Sequence, residues 1–271
     1  MRNAFARLLA SVVLLVFAVD GRGERLPIRA FDSRDGLAGD RITCLLQDSR
    51  GFLWVGTDTG LSRFDGRRFT RWTTADGLPH PVVRSLAEDA GGRLWVGTSY
   101  GLAVLADTRD LDARPFQVLP PAGEPLDNLV YAVLPDGDGV LAGFGAALTR
   151  VTRRDGSFSR EMLVRTPARI TALARDRSGR LWVGTEAGLT LLGEGGTLEV
   201  IPVAREGRDN HVVALAGDAA GRLWVATRAL CSFDPARTSG SPQTLFEQAR
   251  WWRPASPHPP PFQGEGPVCW G

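Results

Sequence analysis

Asp48-Ser49-Arg50-Gly51-Phe52-Leu53-Trp54-Val55-Gly56-Thr57 is a phrase that the chain repeats. It returns as Asp89 to Thr98, ending Leu94-Trp95-Val96-Gly97-Thr98, and as Asp176 to Thr185, ending Leu181-Trp182-Val183-Gly184-Thr185. A further copy runs from Asp218 to Thr227, with Leu223-Trp224-Val225-Ala226-Thr227. Between these stands a worn copy, Asp136-Gly137-Asp138-Gly139 followed by Leu141-Ala142-Gly143-Phe144-Gly145. With Trp54, Trp95, Ala142, Trp182 and Trp224 as markers, the steps are 41, 47, 40 and 42 residues. A period of this size belongs to propellers or helical arrays.

Local chemistry decides between the two. Each copy joins two apolar β-type runs through an Asp-x-x-Gly turn; in the first copy the runs are Ile42 to Leu46 and Phe52 to Thr57. Glycine accepts positive φ there and the aspartate bonds the turn backbone, so each copy reads as a β-hairpin. Gly60 to Phe64 and Arg68 to Trp72, joined through Asp65-Gly66, add a second hairpin. Four antiparallel strands in about 40 residues make one blade of a β-propeller. The expected fold is therefore all-β, a β-propeller of four-stranded antiparallel blades. Blade one covers Asp40 to Trp72 and blade two Val82 to Val118, and blades three, four and five begin at Val130, Ile170 and Val212. A small closed ring and an incomplete seven-bladed ring both stay open, and in the closed form residues 26–31 complete blade five. Ile42, Val83, Val130, Ile170 and Val212 are expected to share one facing. Leu45, Leu86, Val133, Leu173 and Leu215 follow three residues later, and both sets, with the tryptophans, fill the space between blades.

The flanks differ from the repeats. Arg2 and Arg7 precede an apolar run from Leu8 to Val19, the pattern of a signal peptide over residues 1–23. The run is short against the ~20 residues of a membrane span; a retained anchor and a buried N-terminal element are the other readings. Residues 24–235 hold the repeats, and 236–271 read as an irregular low-complexity tail in which Thr244 to Trp252 offers one more strand. A formal charge of +2, from 32 basic and 30 acidic residues, gives no reason to expect nucleic acid. Cys44, Cys231 and Cys269 have no CxxC spacing, so neither a metal knuckle nor a disulfide framework follows. Cys44 reads as a small core residue, and a bridge to Cys231 is not expected.

The phrase Asp-x-x-Gly-x-Leu-Trp-Val-Gly-Thr, with the strand endings Asp35-Gly36-Leu37 and Asp76-Gly77-Leu78, resembles the two-component regulator propeller repeat over about residues 26–234. The resemblance implies seven-bladed propellers, often in tandem, that form the periplasmic sensor half of membrane-bound histidine kinases and diguanylate cyclases. It also implies a following immunoglobulin-like domain, membrane span and output domain, none of which is read in this sequence, so the chain is expected to be a fragment of such a receptor. Dimerisation, as in sensor kinases, is part of the same expectation, and membrane contact is expected only if the N-terminal segment is retained.

The search for chemistry finds no P-loop, Rossmann fingerprint, nucleophile elbow or His-Glu-x-x-His motif. Each Asp-x-x-Gly turn offers one carboxylate where calcium takes six to eight oxygens. No catalytic residue, metal or cofactor is expected. Propeller loops ahead of the inner strands gather at the channel mouth and carry specificity, which singles out Asp40, Arg41, His80, Asp127, Asn128, Arg169, Asn210 and His211. Such polar groups suit a small-molecule or oligosaccharide ligand, while each taken singly is also an ordinary turn residue. Three functional readings stay open: a non-catalytic periplasmic sensor, a propeller enzyme of the streptogramin-lyase type with His211 as base, and a non-functional truncated remnant.

Overall fold

A computed structural model describes residues 29–105, 115–121, 123, 128–193, 196–201, 203, 210–227, 230–233, 235 and 250–252. The expected signal peptide, residues 26–28 and most of the 236–271 tail lie outside the described residues. Residues 29–31 fall outside the unit Asp32–Gly271 and are not in a strand.

In the larger unit the repeated aspartate is a latch. One oxygen of Asp48 accepts the turn amides of Arg50 and Phe52, and the other accepts the indole N–H of Trp54 at 2.8 Å. Asp89 does the same with Trp95 at 2.7 Å, Asp176 with Trp182 at 2.9 Å and Asp218 with Trp224 at 2.9 Å. The latch closes the first hairpin of each blade and gives a buried indole its one required acceptor. In the last three copies an arginine four residues after the aspartate donates to the same carboxylate: Arg93, Arg180 and Arg222. With its lone pairs taken by amides, indole and guanidinium, the carboxylate is a fold element. The threonine of the phrase closes the next turn, Thr57, Thr98 and Thr185 donating to the carbonyls of Gly60, Gly101 and Gly188. The Asp-Gly-Leu endings cap single 3-10 turns at Ser33–Asp35 and Thr74–Asp76, with Gly36 and Gly77 left-handed and Leu37 and Leu78 buried.

These hairpins pair into five four-stranded antiparallel sheets. Blade one is β1 (Ile42–Gln47), β2 (Leu53–Thr57), β3 (Leu61–Phe64) and β4 (Phe69–Trp72). Blade two is β5 (Val83–Glu88), β6 (Leu94–Thr98), β7 (Gly101–Leu105) and β8 (Phe116–Val118). Blade three is β9 (Val130–Asp136), β10 (Gly139–Phe144), β11 (Ala147–Arg154) and β12 (Ser157–Arg165). Blade four is β13 (Ile170–Arg175), β14 (Leu181–Thr185), β15 (Gly188–Leu192) and β16 (Leu198–Ile201). Blade five is β17 (Ala214–Gly217), β18 (Leu223–Ala226), β19 (Leu230–Phe233) and β20 (Arg250–Trp252). Its outer strand comes from residues 250–252, inside the stretch Thr244 to Trp252, because β20 pairs with β19. The five blades, with first strands side by side, are those of a β-propeller.

Each joint between blades has the same construction. The glycine of the phrase leaves a gap on β2, β6, β10 and β14, and the first apolar residue of the next blade's inner strand fills it. A Cβ on Gly56, Gly97, Gly143 or Gly184 would stand 2.8, 2.8, 2.6 and 2.6 Å from a methyl of Val83, Val130, Ile170 and Val212 respectively. Beside each gap lies a fully buried large side chain, Trp54, Trp95, Leu141 or Trp182, in the core shared with the following blade.

Blade three departs from the expected alignment. Val130 pairs with Phe144 as Ile42 pairs with Thr57, which sets Leu141, not Ala142, at the tryptophan's place. The cause is a first hairpin one residue shorter: Asp136 stands five residues ahead of Leu141, where Asp48 stands six ahead of Trp54. Without an indole to hold, Asp136 instead receives Arg150 of β11 at 2.8 Å and Arg175 of β13, in the next blade, at 2.7 Å. The first blade also departs. Val83, Val130, Ile170 and Val212 are fully buried, but Ile42 is 44% exposed and Leu45 61% exposed, since no described blade precedes them. At the other end Ala226 replaces the glycine, and Trp224 is half-buried.

Gly97→Ala is expected to cost about 1–3 kcal/mol by overpacking Ser85 Oγ and Val130, and Val130→Ala in the same chain to recover the part that is due to the Val130 methyl; additive losses in urea melts would show that the two do not meet. Acid should act through the latches. Burial works to raise Asp218, but the Trp224 indole, the Arg222 amide and the Arg222 guanidinium outweigh it and hold the carboxyl at about 2. Asp176 is lowered too, burial being opposed by Trp182 and Arg180. Both are more acidic folded than unfolded, where an aspartate titrates near ~3.9, so their stabilisation is complete above that value and lost as pH falls toward 2. Melting temperature should hold down to pH ~5 and then fall, and Asp218→Asn should flatten that acid limb.

Candidate functional site

The inner strands β1, β5, β9, β13 and β17 lie next to one another in order, so the site is read from them. Their pairing breaks at one recurrent position: between Ile42 and Cys44, Val83 and Ser85, Val130 and Ala132, and Ile170 and Ala172. One residue is left over each time, Thr43, Arg84, Tyr131 or Thr171, and such a β-bulge re-aims its side chain. The bulge also explains why Val83 and Leu86, or Ile170 and Leu173, pack in the same core although three residues apart. In blade five the corresponding residue is Val213, 58% exposed.

The four bulge residues are used in two ways. Thr43 Oγ1 donates to the Val83 carbonyl at 2.6 Å and Thr171 Oγ1 to the Val212 carbonyl at 2.5 Å, tying an inner strand to its neighbour. Arg84 and Tyr131 instead meet each other, with the guanidinium carbon 5.0 Å from the ring centre. Arg169, just before β13, brings a second guanidinium to 5.5 Å from the same ring. Stacking on a phenol face suits the flat guanidinium and leaves its N–H edges available. Arg84 Nε donates to Ser99 Oγ at 2.8 Å, and Arg169 Nη1 pairs with Glu186 Oε1 at 3.1 Å. Among the described residues no carboxylate pairs with Arg84. The cluster spans blades two, three and four and carries two positive charges against one negative.

The sequence-predicted residues scatter around it. Arg169 lies inside the cluster. Arg41 and His211 occupy its position in blades one and five and are exposed. Asp40 and Asn210 are loop braces: Asp40 accepts the Ser33 amide at 2.7 Å, and Asn210 Oδ1 accepts the Val203 amide at 3.1 Å. His80 Nδ1 accepts the Val82 amide at 3.1 Å, a turn contact. Asn128 is buried, 2% exposed, and Asp127 lies outside the described residues. Arg84 and Tyr131 were not among the expected residues. The signal for them was the odd spacing of paired apolar positions around a residue that varies from blade to blade. Cys44 is a free thiol that burial pushes up to about 11, so it is a poor nucleophile. Among the described residues no group of three His, Cys, Asp or Glu side chains is placed to hold a metal ion, and no helix is long and apolar enough to cross a membrane.

The two component regulator propeller model matches residues 36–59, 77–100, 166–187 and 206–229. These fall on blades one, two, four and five, and the unmatched blade is the one that lacks the indole latch. No curated protein matches the chain. Among solved structures it is similar to the extracellular domain of the hybrid two component system BT3049 from B. thetaiotaomicron, at 20% identity and TM-score 0.63, over 78% of this chain and 31% of that one. The extracellular domain of BT4673 from the same organism aligns at 19% identity and TM-score 0.59, over 79% and 35%. Virginiamycin B lyase from Staphylococcus aureus, in a catalytically inactive form with quinupristin, aligns at 15% identity and TM-score 0.57, over 84% and 71%. This chain thus spans about a third of the length of those two sensor domains, and at these identities the likeness is one of fold. Four segments of the chain thus match the two component regulator propeller repeat, each seated on its own blade.

Proposed function

We propose that this chain is the ligand-binding part of a non-catalytic periplasmic sensor, a propeller that presents a small molecule or an oligosaccharide to a membrane-bound signalling receptor. The observation that carries this reading is the double use of one backbone position. Where the bulge residue is threonine it stitches blades together, and where it is Arg84 or Tyr131 the stitch is given up for a polar cluster on the inner strands. Function lives in sites grafted on a fold, and a position that departs from the use the scaffold makes of it is where such a site is sought. The export-type segment Arg2 to Val19 and the likeness to extracellular sensor domains support the periplasmic half of the proposal. Dimerisation through the receptor belongs with it. The lyase reading requires a histidine with a carboxylate beside it, and among the described residues His211 has no such partner.

Scanning fluorimetry of the full chain against mono- and oligosaccharides and small metabolites tests the proposal. A ligand at a hundred times its Kd adds about 2.7 kcal/mol of stability, several degrees in Tm, and should be recovered chemically unchanged. Turnover of the ligand would transfer the protein to the enzyme reading, and a panel without any shift would remove the sensor. Arg84→Thr, which restores the residue of blades one and four, should leave the ligand-free Tm equal or slightly raised while abolishing the ligand-induced shift. A ligand-free loss of more than ~3 °C, about 1 kcal/mol, would assign Arg84 to the scaffold.

A further inference from the structure

Resting on that sensor reading, we infer that the ligand is held through an oxyanion, a carboxylate, sulfate or phosphate group taken by Arg84 and Arg169, the two guanidiniums gathered over Tyr131. Two guanidiniums gathered on one ring repel each other, and Glu186 offsets only the charge of Arg169. Arg84 is bound to a neutral hydroxyl, and its terminal nitrogens are left to meet a charged acceptor. The phenol gathers both cations over its ring without neutralising either, so less side-chain freedom remains to be lost when an anion arrives. Planar guanidiniums take carboxylate, sulfate and phosphate oxygens in pairs, the strongest of the common hydrogen-bonded contacts. The acceptor-rich alternative, a neutral sugar bound by its hydroxyls, would call for carboxylates and amides here. The groups of that kind are otherwise engaged: Glu186 pairs with Arg169, Asp40 and Asn210 brace loops, and Asn128 is buried.

Calorimetry on the full chain with four probes at millimolar concentration tests this: glucose, glucuronate, glucose 6-sulfate and glucose 6-phosphate. The three anionic probes should bind and glucose should not, and their ranking distinguishes carboxylate from sulfate and phosphate. Raising salt from 0.05 to 0.5 M should weaken binding several-fold, as screening requires. Arg84→Gln and Arg169→Gln should each weaken it about tenfold or more. Glu186→Gln should tighten it about two- to fivefold by removing the anion that competes for Arg169, an effect that a purely structural cluster would not produce. Equal binding of glucose, unchanged affinity in the arginine variants, or weaker binding in Glu186→Gln would overturn the inference. Silence from all four probes while a neutral ligand shifts Tm would defeat the oxyanion and leave the sensor standing; silence from both would defeat both.

Discussion

A glycine with no side chain, pressed by the methyls of a valine or isoleucine from the next sheet, sets the distance between successive blades. The contact is repeated at Gly56, Gly97, Gly143 and Gly184, and at each a single added carbon would meet a methyl at under 3 Å. Close approach of the sheets there is what brings the large ring of one blade onto the inner strand of the following one. It also brings inner-strand hydroxyls within reach of the neighbour's carbonyls, as Thr43 and Thr171 show. Interiors packed to crystal density do not absorb an extra methyl quietly. Ala226 therefore makes the outward face of blade five different in kind from the four joints inside the array.

The aspartate latch works on a smaller scale and tolerates replacement. It satisfies an indole that would otherwise lie buried without an acceptor, a loss of about 1–3 kcal/mol. Blade three shows what happens when the indole goes. Leu141 keeps the packing volume, and Asp136 turns to Arg150 and Arg175, so the carboxylate now crosses a joint it would otherwise only support. Arg93 reaches from the preceding blade to the carbonyls of Arg153 and Asp138. The outer hairpin of blade three, turned by Asp155 and Gly156 with positive φ, is long enough for Arg160 to reach the Pro120 carbonyl of blade two. The blade with the weakest sequence signature is thus held by polar contacts where the others rely on a ring.

The fold was legible because its instructions are local and repeated. A turn glycine, an aspartate six residues ahead of a tryptophan and an Asp-Gly hairpin each act within a dozen residues, so one copy explains the rest. What misled was counting. The shortened hairpin at Gly137 moved the packing residue from Ala142 to Leu141, which pattern matching on the chain cannot see when the indole is absent. The site was less legible for a related reason. Side chains along a strand ordinarily alternate between its two faces, and that expectation hides a bulge. Loop residues such as Asp40, His80 and Asn210 look exposed and polar in sequence, yet backbone amides claim them. Arg84 and Tyr131 sit inside strands, and only the three-residue spacing of Val83 to Leu86 and Val130 to Val133 betrayed that something stood out between them.

The bulge has a consequence for how such proteins diversify. A residue that hangs outside the ladder has no cross-strand partner, so exchanging it leaves the register of the ladder unchanged and costs only the stitch to the next blade where it is threonine. One letter per blade can be exchanged while the frame stays as it is. Two chains with the same latches and the same glycine gaps could then carry unlike groups on their inner strands, and comparison of their frames would not tell them apart; comparison of the bulge letters would.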